Sequence, residues 1–291
     1  MTDIAISEPK LSSDILTRIL TKLDLAERPE CNRVGLNRVY AAYCGHVPRD
    51  NIQKRIWLTG NQTTPVTGGD PVEFFENWLA HGTGGTCFAT SGGLCALLRV
   101  LGFDAKRATG CVIREGIEYD RNHASVIARV DGADFLVDPQ QASFAALPII
   151  PGQPSSAGNG IHATRAVPVP GGFELQSFPG SNRQEPLRIR FYLENCVVDH
   201  AFFLEKYALS TVRELDRSPF NDTLIVSRRF PGSLVIVGRG NRIEVSADNT
   251  VTKAEISIDE RNRILVEELG ISEEITKAIP PDDVDGPALP T

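Results

Sequence analysis

Residues His81–Phe103 read HGTGGTCFATSGGLCALLRVLGF: a glycine-rich approach, a cysteine, and then an apolar run. Leu94, Leu97, Leu98 and Leu101 recur at helical spacing, and Gly102 stands where a helix-ending glycine belongs. Traced back, the helix begins near Cys87, just after Gly84–Gly85–Thr86. A thiol at a helix N-terminus is favoured as thiolate, because unpaired backbone N–H groups and the helix dipole stabilise negative charge there. The same N–H groups can hold an oxyanion while an acyl group is attacked. Gly92 and Gly93 inside the helix cost about 1 kcal/mol each relative to alanine, so a close neighbour is expected against that face. Cys95 falls in register with the leucines and reads as a small buried hydrophobe.

Downstream, NHASVIARVDGADFLVDPQ reads as two strands joined at Asp131–Gly132, a two-residue hairpin signal. With those residues as the loop, Val130 faces Ala133, and His123 and Asp138 become diagonal neighbours on one face, roughly 7–8 Å apart at the backbone. An odd-length loop would place them on opposite faces. A carboxylate on one imidazole nitrogen fixes the tautomer and leaves the other nitrogen to take a thiol proton. Cys87, His123 and Asp138 are therefore the expected catalytic triad. His46, His81, His162 and His200 have no comparable partner in the sequence and read as ordinary.

Around this centre the hydrophobic period changes once. From Leu11 to about Leu79 it is helical: Ser12 or Ser13 caps a first helix, a second fits Val34–Tyr43, and Pro71 opens a third bearing Phe74, Phe75, Trp78 and Leu79. From about Lys106 strands are expected at Lys106–Val112, Ala124–Val130, Asp134–Val137 and Leu187–Leu193. Residues 148–183, rich in Pro, Gly and Ser, read as a long irregular excursion. A helix over His200–Asp216 follows, then strands Leu224–Ser227, Leu234–Val237 and Arg242–Val245, a helix near Asp259–Leu269, and a frayed acidic tail over 280–291.

The 291 residues suffice for two or three packed modules, and a charged share of 23% is ordinary for a globular protein. A net charge of −7 argues against a nucleic-acid surface, although a local basic patch remains compatible with it. The start, MTDIAISEPK, lacks a secretory signal, and no stretch approaches the roughly 20 apolar residues of a membrane span. Six scattered cysteines without a CxxC pair fit a reducing cytoplasm and offer no metal site.

The GGTCF and LLRVLGF segments, followed by His123 and by Asp138 in VDP, resemble the arylamine N-acetyltransferase family. HVPRDNI (His46–Ile52) is similar to its early proline–acidic–asparagine motif. SPFNDTLIVSRRFPG (Ser218–Gly232) resembles the opening of its third domain, and ISIDERNRILVEELGIS (Ile256–Ser272) its closing helix. The likeness runs over about residues 11–272. The family usually has arginine at the place of Thr83, glutamate at Ala89, asparagine at Ser91, and a glycine-rich turn where this chain reads DPQQASF. The triad order is also shared, more distantly, with transglutaminase-like proteins.

The resemblance implies an α+β fold with a cysteine-proteinase-like core. Its parts are a helical domain over 1–105, an antiparallel β-barrel over 106–215 that includes the excursion, and an α/β lid over 216–291. It implies ping-pong transfer of an acetyl or other acyl group from a thioester to a small-molecule amine, with no permanently bound cofactor. The donor would be acetyl-CoA or a pantetheine-linked thioester, with an acyl carrier protein as a possible partner. Thr86, Phe88, Gln140, Phe144 and Phe220 are the candidates for binding donor or acceptor. The alternatives are a transglutaminase-like amide hydrolase or peptidase, and an amide synthase of a biosynthetic pathway.

Overall fold

A computed structural model describes residues 9–177, 186–212 and 220–282. The N-terminal part is helical: α1 (Ser13–Lys22), α2 (Arg33–His46), the two-residue strand β1 (Arg49–Asp50), α3 (Ile52–Thr59), α4 (Pro71–His81) and α5 (Cys87–Val100). Ser12 caps α1 by accepting from the Ile15 amide, and Asp70 caps α4 ahead of Pro71 by accepting from Val72. Helix α3 was not anticipated, because two of its three buried residues are Lys54 and Arg55, which a hydrophobic pattern places outside.

Helix α5 is the axis of the main core. Every residue from Phe88 to Leu98 is buried, so it is covered on all sides rather than along one stripe. It packs against α4 and against two strands of the large sheet. Gly102, at φ +99°, ends it as the sequence predicts.

That sheet has nine antiparallel strands: β2 (Asp104–Arg114), β3 (Ile117–Glu118), β4 (His123–Val130), β5 (Ala133–Val137), β6 (Leu147–Ile149), β7 (Ser155–Ala157), β8 (Thr164–Val169), β9 (Gly172–Ser177) and β10 (Leu187–Tyr192). The order β6-β5-β4-β2-β10-β9-β8-β7 brings β6 back beside β7 and β8, so the sheet nearly closes into a barrel. The expected irregular excursion over 148–183 is thereby corrected, since its described part contains β7, β8 and β9. Its prolines and glycines fall mostly at turns such as Pro170–Gly171, and the strands between are short. Pro168 sits within β8 and donates nothing to the ladder. Residues 178–183 lie outside the described residues.

Helix α6 (His200–Leu209) is shorter than expected, and positions 213–216 of the anticipated helix fall outside the described residues. A second sheet follows, with β11 (Ile225–Phe230), β12 (Ser233–Gly238), β13 (Asn241–Ser246) and β14 (Val251–Glu255) in sequential hairpins. Strand β1 completes it by pairing with β11, Arg49 opposite Ser227, and so ties the helical part to this sheet. Helices α7 (Ile258–Glu267) and α8 (Glu273–Lys277) cover one face, with Ile264 and Leu265 in a core shared with Ile52, Val226 and Val237. The tail is not frayed at its beginning: Arg55 donates to the Pro281 carbonyl at 2.6 Å and to Asp282 at 2.8 Å. Residues 283–291 lie outside the described residues. The molecule thus has the expected α+β architecture of helices, a nearly closed antiparallel barrel and an α/β element.

Candidate active site

Asp131 and Gly132 turn the β4–β5 hairpin with φ of +52° and +78°, the pair of left-handed residues a two-residue hairpin of this type requires. The register follows: Val130 faces Ala133 and Val126 faces Val137. Beyond Val137 the chain leaves the strand, and Asp138 turns back. Asp138 Oδ2 then meets His123 Nε2 at 2.6 Å, with both side chains buried.

Asp138 is fixed from three sides. Its Oδ1 accepts the backbone amides of Gln140 at 3.0 Å and Gln141 at 3.1 Å. The Tyr40 hydroxyl donates to its carbonyl at 2.7 Å and accepts from its amide at 3.2 Å. With Nε2 committed to Asp138, His123 Nδ1 is the nitrogen left for Cys87.

Cys87 is partly exposed at the first position of α5, with its Sγ 4.0 Å from the Asn122 carbonyl. Burial works against charge on His123, but Asp138, and then the Cys87 thiol, outweigh it and raise the imidazole to about 10. The imidazolium is therefore the resting form near neutral pH. Thr86, the N-cap residue, gives no side-chain bond to the first turn, so its hydroxyl does not cover the amides at the helix start. Cys95 is fully buried, as expected.

The loop before Cys87 is held by residues that local pattern alone did not single out. Asp50 accepts from the Gly84 amide at 2.6 Å and from Ile52 at 3.0 Å, and Asp50's own amide donates to Gly85 at 3.2 Å. Asn51 donates to the Phe220 carbonyl at 2.8 Å and to Thr223 at 2.7 Å, and accepts from Ile225. The HVPRDNI motif was the signal for both residues; its chemistry is that of backbone clamps.

The five candidate binding residues divide. Phe88 is 1% exposed, stacked on Tyr207 at 5.5 Å and edge-on to Phe203 at 5.1 Å, so its ring packs in the core. Gln140 is buried as a strut, donating to Thr90 at 2.9 Å, while its carbonyl accepts from Arg229 at 2.8 Å. Phe144 packs against His162 with ring centres 4.9 Å apart. Thr86 stands at the helix cap, and Phe220 carries the Arg49 guanidinium over its ring at 4.7 Å. In the DPQQASF turn, Ala142 and Phe144 adopt φ of +42° and +58°, a backbone that favours glycine. The turn keeps a glycine-type path without glycine.

The sequence profile of the N-acetyltransferase family matches residues 67–278. No curated protein sequence matches the chain. Among solved structures, the arylamine N-acetyltransferase from Mycobacterium abscessus is similar at 17% identity, with a TM-score of 0.74 over 90% of this chain and 92% of that one. The enzyme from Salmonella typhimurium is also 17% identical, with a TM-score of 0.74 over 92% and 98% of the two chains. That from Bacillus cereus, described as having a unique Cys-His-Glu catalytic triad, is 17% identical with a TM-score of 0.72 over 90% and 100%. At such identities the structures establish the fold. Among the described residues, no helix is long and apolar enough to cross a membrane.

Proposed function

This chain belongs to the N-acetyltransferase family, and from that premise we propose that it carries an acyl group on Cys87, from a thioester such as acetyl-CoA to an amine. The observation that supports this reading most is the 2.6 Å His123–Asp138 bond beside a cysteine at a helix start. Where the Bacillus cereus enzyme is described with glutamate as third member, this chain has Asp138.

The chemistry follows from the geometry. The Cys87 thiolate, paired with the His123 imidazolium, attacks the thioester carbonyl, and the C–O π electrons move onto oxygen. Amides of the first turn of α5 face the developing oxyanion. The intermediate collapses to acyl-Cys87, and the departing thiolate takes the proton from His123. An amine then attacks the acyl-enzyme, neutral His123 accepts its proton, and Cys87 leaves as thiolate with the amide formed. Asp138 holds the ring by Nε2 throughout. In the cytoplasm the donor would be coenzyme A or another pantetheine thioester, carrier-bound or free.

Incubation with acetyl-CoA should add about 42 Da to the intact protein, and an amine should then remove it, as a ping-pong acyl-enzyme requires. Cys87→Ala should abolish the adduct and retain the fold. An adduct that persists in Cys87→Ala refutes the assignment. Hydrolysis of peptide amides without labelling by any thioester would favour the hydrolase instead.

A further inference from the structure

Arg49 lies close to the nucleophile, and among the described residues no acid is in direct contact with it. Its backbone bridges to Gly85, two residues before Cys87, and its guanidinium rests on the Phe220 ring at 4.7 Å. Among the described residues no carboxylate forms an ion pair with it, and its buried Nε has no hydrogen-bond partner. Electrostatically it is within reach of Cys87 and Asp138, and also of two more cations, Arg229 and Arg114. Arg229 is 7% exposed and spends one nitrogen on the Gln140 carbonyl, leaving its own Nε without a partner. Burial, and then Arg229, bring Arg49 down to about 10, while Cys87 and Asp138 oppose the fall. A chain of net charge −7 thus concentrates positive charge at its reactive thiol.

An unpaired, partly desolvated cation is costly unless something else supplies the counter-charge. The Cys87 thiolate is already paired with the His123 imidazolium, so it does not meet that need alone. Coenzyme phosphates do not meet it either: the pantetheine arm separates them from the thioester, whereas Arg49 adjoins the loop that leads into Cys87. What comes within reach of both Arg49 and Sγ is the acyl group or the attacking acceptor.

We propose that Arg49, seated on Phe220, is a specificity residue that binds a carboxylate carried by the acyl group or by the acceptor. The inference deepens the acyl-transfer reading above, which it needs for its choice of substrate. The planar guanidinium suits a carboxylate because it offers paired N–H donors, and stacking on Phe220 fixes its plane. The aromatic shelf would also flank an aryl acceptor.

The anion site can be tested without acyl transfer. Iodoacetate and iodoacetamide alkylate the same thiolate and differ in carrying a carboxylate or its amide, so their rate ratio at Cys87 cancels the thiol's ionisation. Arg49→Gln should lower the iodoacetate-to-iodoacetamide ratio about tenfold, and Arg49→Lys should lower it less. A ratio unchanged in Arg49→Gln overturns the proposal, whatever the protein does with thioesters. The source of the carboxylate is read from two substrate pairs: 4-aminobenzoate against its ethyl ester as acceptors, and succinyl against butyryl N-acetylcysteamine thioesters as donors. The pair whose charged member loses about tenfold in kcat/KM relative to its neutral member in Arg49→Gln identifies the source. Equal losses within both pairs overturn it, because Arg49 would then act only on the thiol. Failure of every thioester to label wild-type Cys87 counts against the acyl-transfer reading, and the alkylation ratio is unaffected.

Discussion

The Asp50 carboxylate accepts the Gly84 amide at 2.6 Å, fixing the loop that delivers Cys87 from a strand 34 residues earlier in the chain. Its other oxygen accepts from Ile52 at 3.0 Å, and the side chain is fully buried. The position of Cys87 therefore depends on the junction between the helices and the second sheet.

Asp50→Asn should turn one amide N–H₂ toward a backbone N–H, displacing the loop and lowering turnover by at least about tenfold. Its stability effect carries a pH signature. Burial is the largest influence on Asp50 and raises it to about 6, against the opposing bonds from Gly84 and Ile52. A carboxyl raised above its unfolded value binds its proton more tightly when folded, so stability falls as pH rises from about 4 to 6. Wild type should then gain about 2 kcal/mol from this group between pH 7 and pH 4.5, and the asparagine variant should gain nothing from it. Urea melts of both proteins at the two pH values measure the difference. A deficit in the variant that does not change with pH would mean that Asp50 titrates as an ordinary carboxylate.

Tyr40→Phe tests how Asp138 is held. One hydroxyl serves the Asp138 carbonyl, the Asp138 amide and the Ser143 amide at 3.3 Å. Its removal strands two buried N–H groups, while the Asp138 carbonyl keeps the Ala142 amide at 2.8 Å, and this should cost about 1–3 kcal/mol. The turn carrying Asp138 should loosen, so kcat should fall more than KM changes. A variant as stable as wild type would show that water or a local shift replaces the hydroxyl.

The His123–Cys87 pair predicts a flat alkylation profile. With His123 raised to about 10, the imidazolium persists across neutral pH, and iodoacetamide labelling of Cys87 should change little between pH 6 and 8. In His123→Gln the rate should climb with pH as it does for an ordinary thiol titrating near about 8.5. The same shift has a stability sign: the contribution of His123 is complete below the unfolded imidazole value of about 6.5 and is lost as pH rises toward 10. A wild-type profile that already climbs through pH 8 would mean no charged pair exists.

The places of Cys87, His123 and Asp138 were legible because each sits at a junction whose local chemistry is explicit. The Asp–Gly turn fixes the hairpin register, and Asp138, the first residue beyond β5, turns back toward His123 at the start of β4. Residues 148–177 were not legible as strands. Their segments are three to six residues long and interrupted by turns, and they pair mainly with one another, β7 with β8 and β8 with β9, so that no single one carries a long alternating pattern. Phe88 illustrates a different limit. Its sequence position beside Cys87 suggested ligand contact, but successive helical positions point about 100° apart, and Phe88 points inward to Phe203 and Tyr207. Arg49 was hidden for the opposite reason, since an arginine in a surface-like motif gives no sign that a strand pairing will half-bury it.

Gly92 and Gly93 share a sequence rationale and should respond oppositely to substitution. A Cβ on Gly93 would lie 2.5 Å from two ring carbons of Phe74 and 3.1 Å from the Tyr43 hydroxyl. Phe74 is 1% exposed and meets Phe75 edge-on at 5.1 Å, while Tyr43 donates to the Thr90 carbonyl at 2.9 Å, so neither neighbour can retreat freely. A Cβ on Gly92 would meet only Phe203, at an ordinary 3.5 Å. Gly93→Ala should therefore destabilise the protein by about 1–3 kcal/mol through overpacking. Gly92→Ala should stabilise it by about 0.5–1 kcal/mol, because the unfolded chain loses freedom and the helix gains propensity. Denaturant midpoints of the two variants at unchanged slope measure both effects. Destabilisation of equal size at both positions would mean that α5 as a whole, rather than the contact at Gly93, sets the demand for glycine.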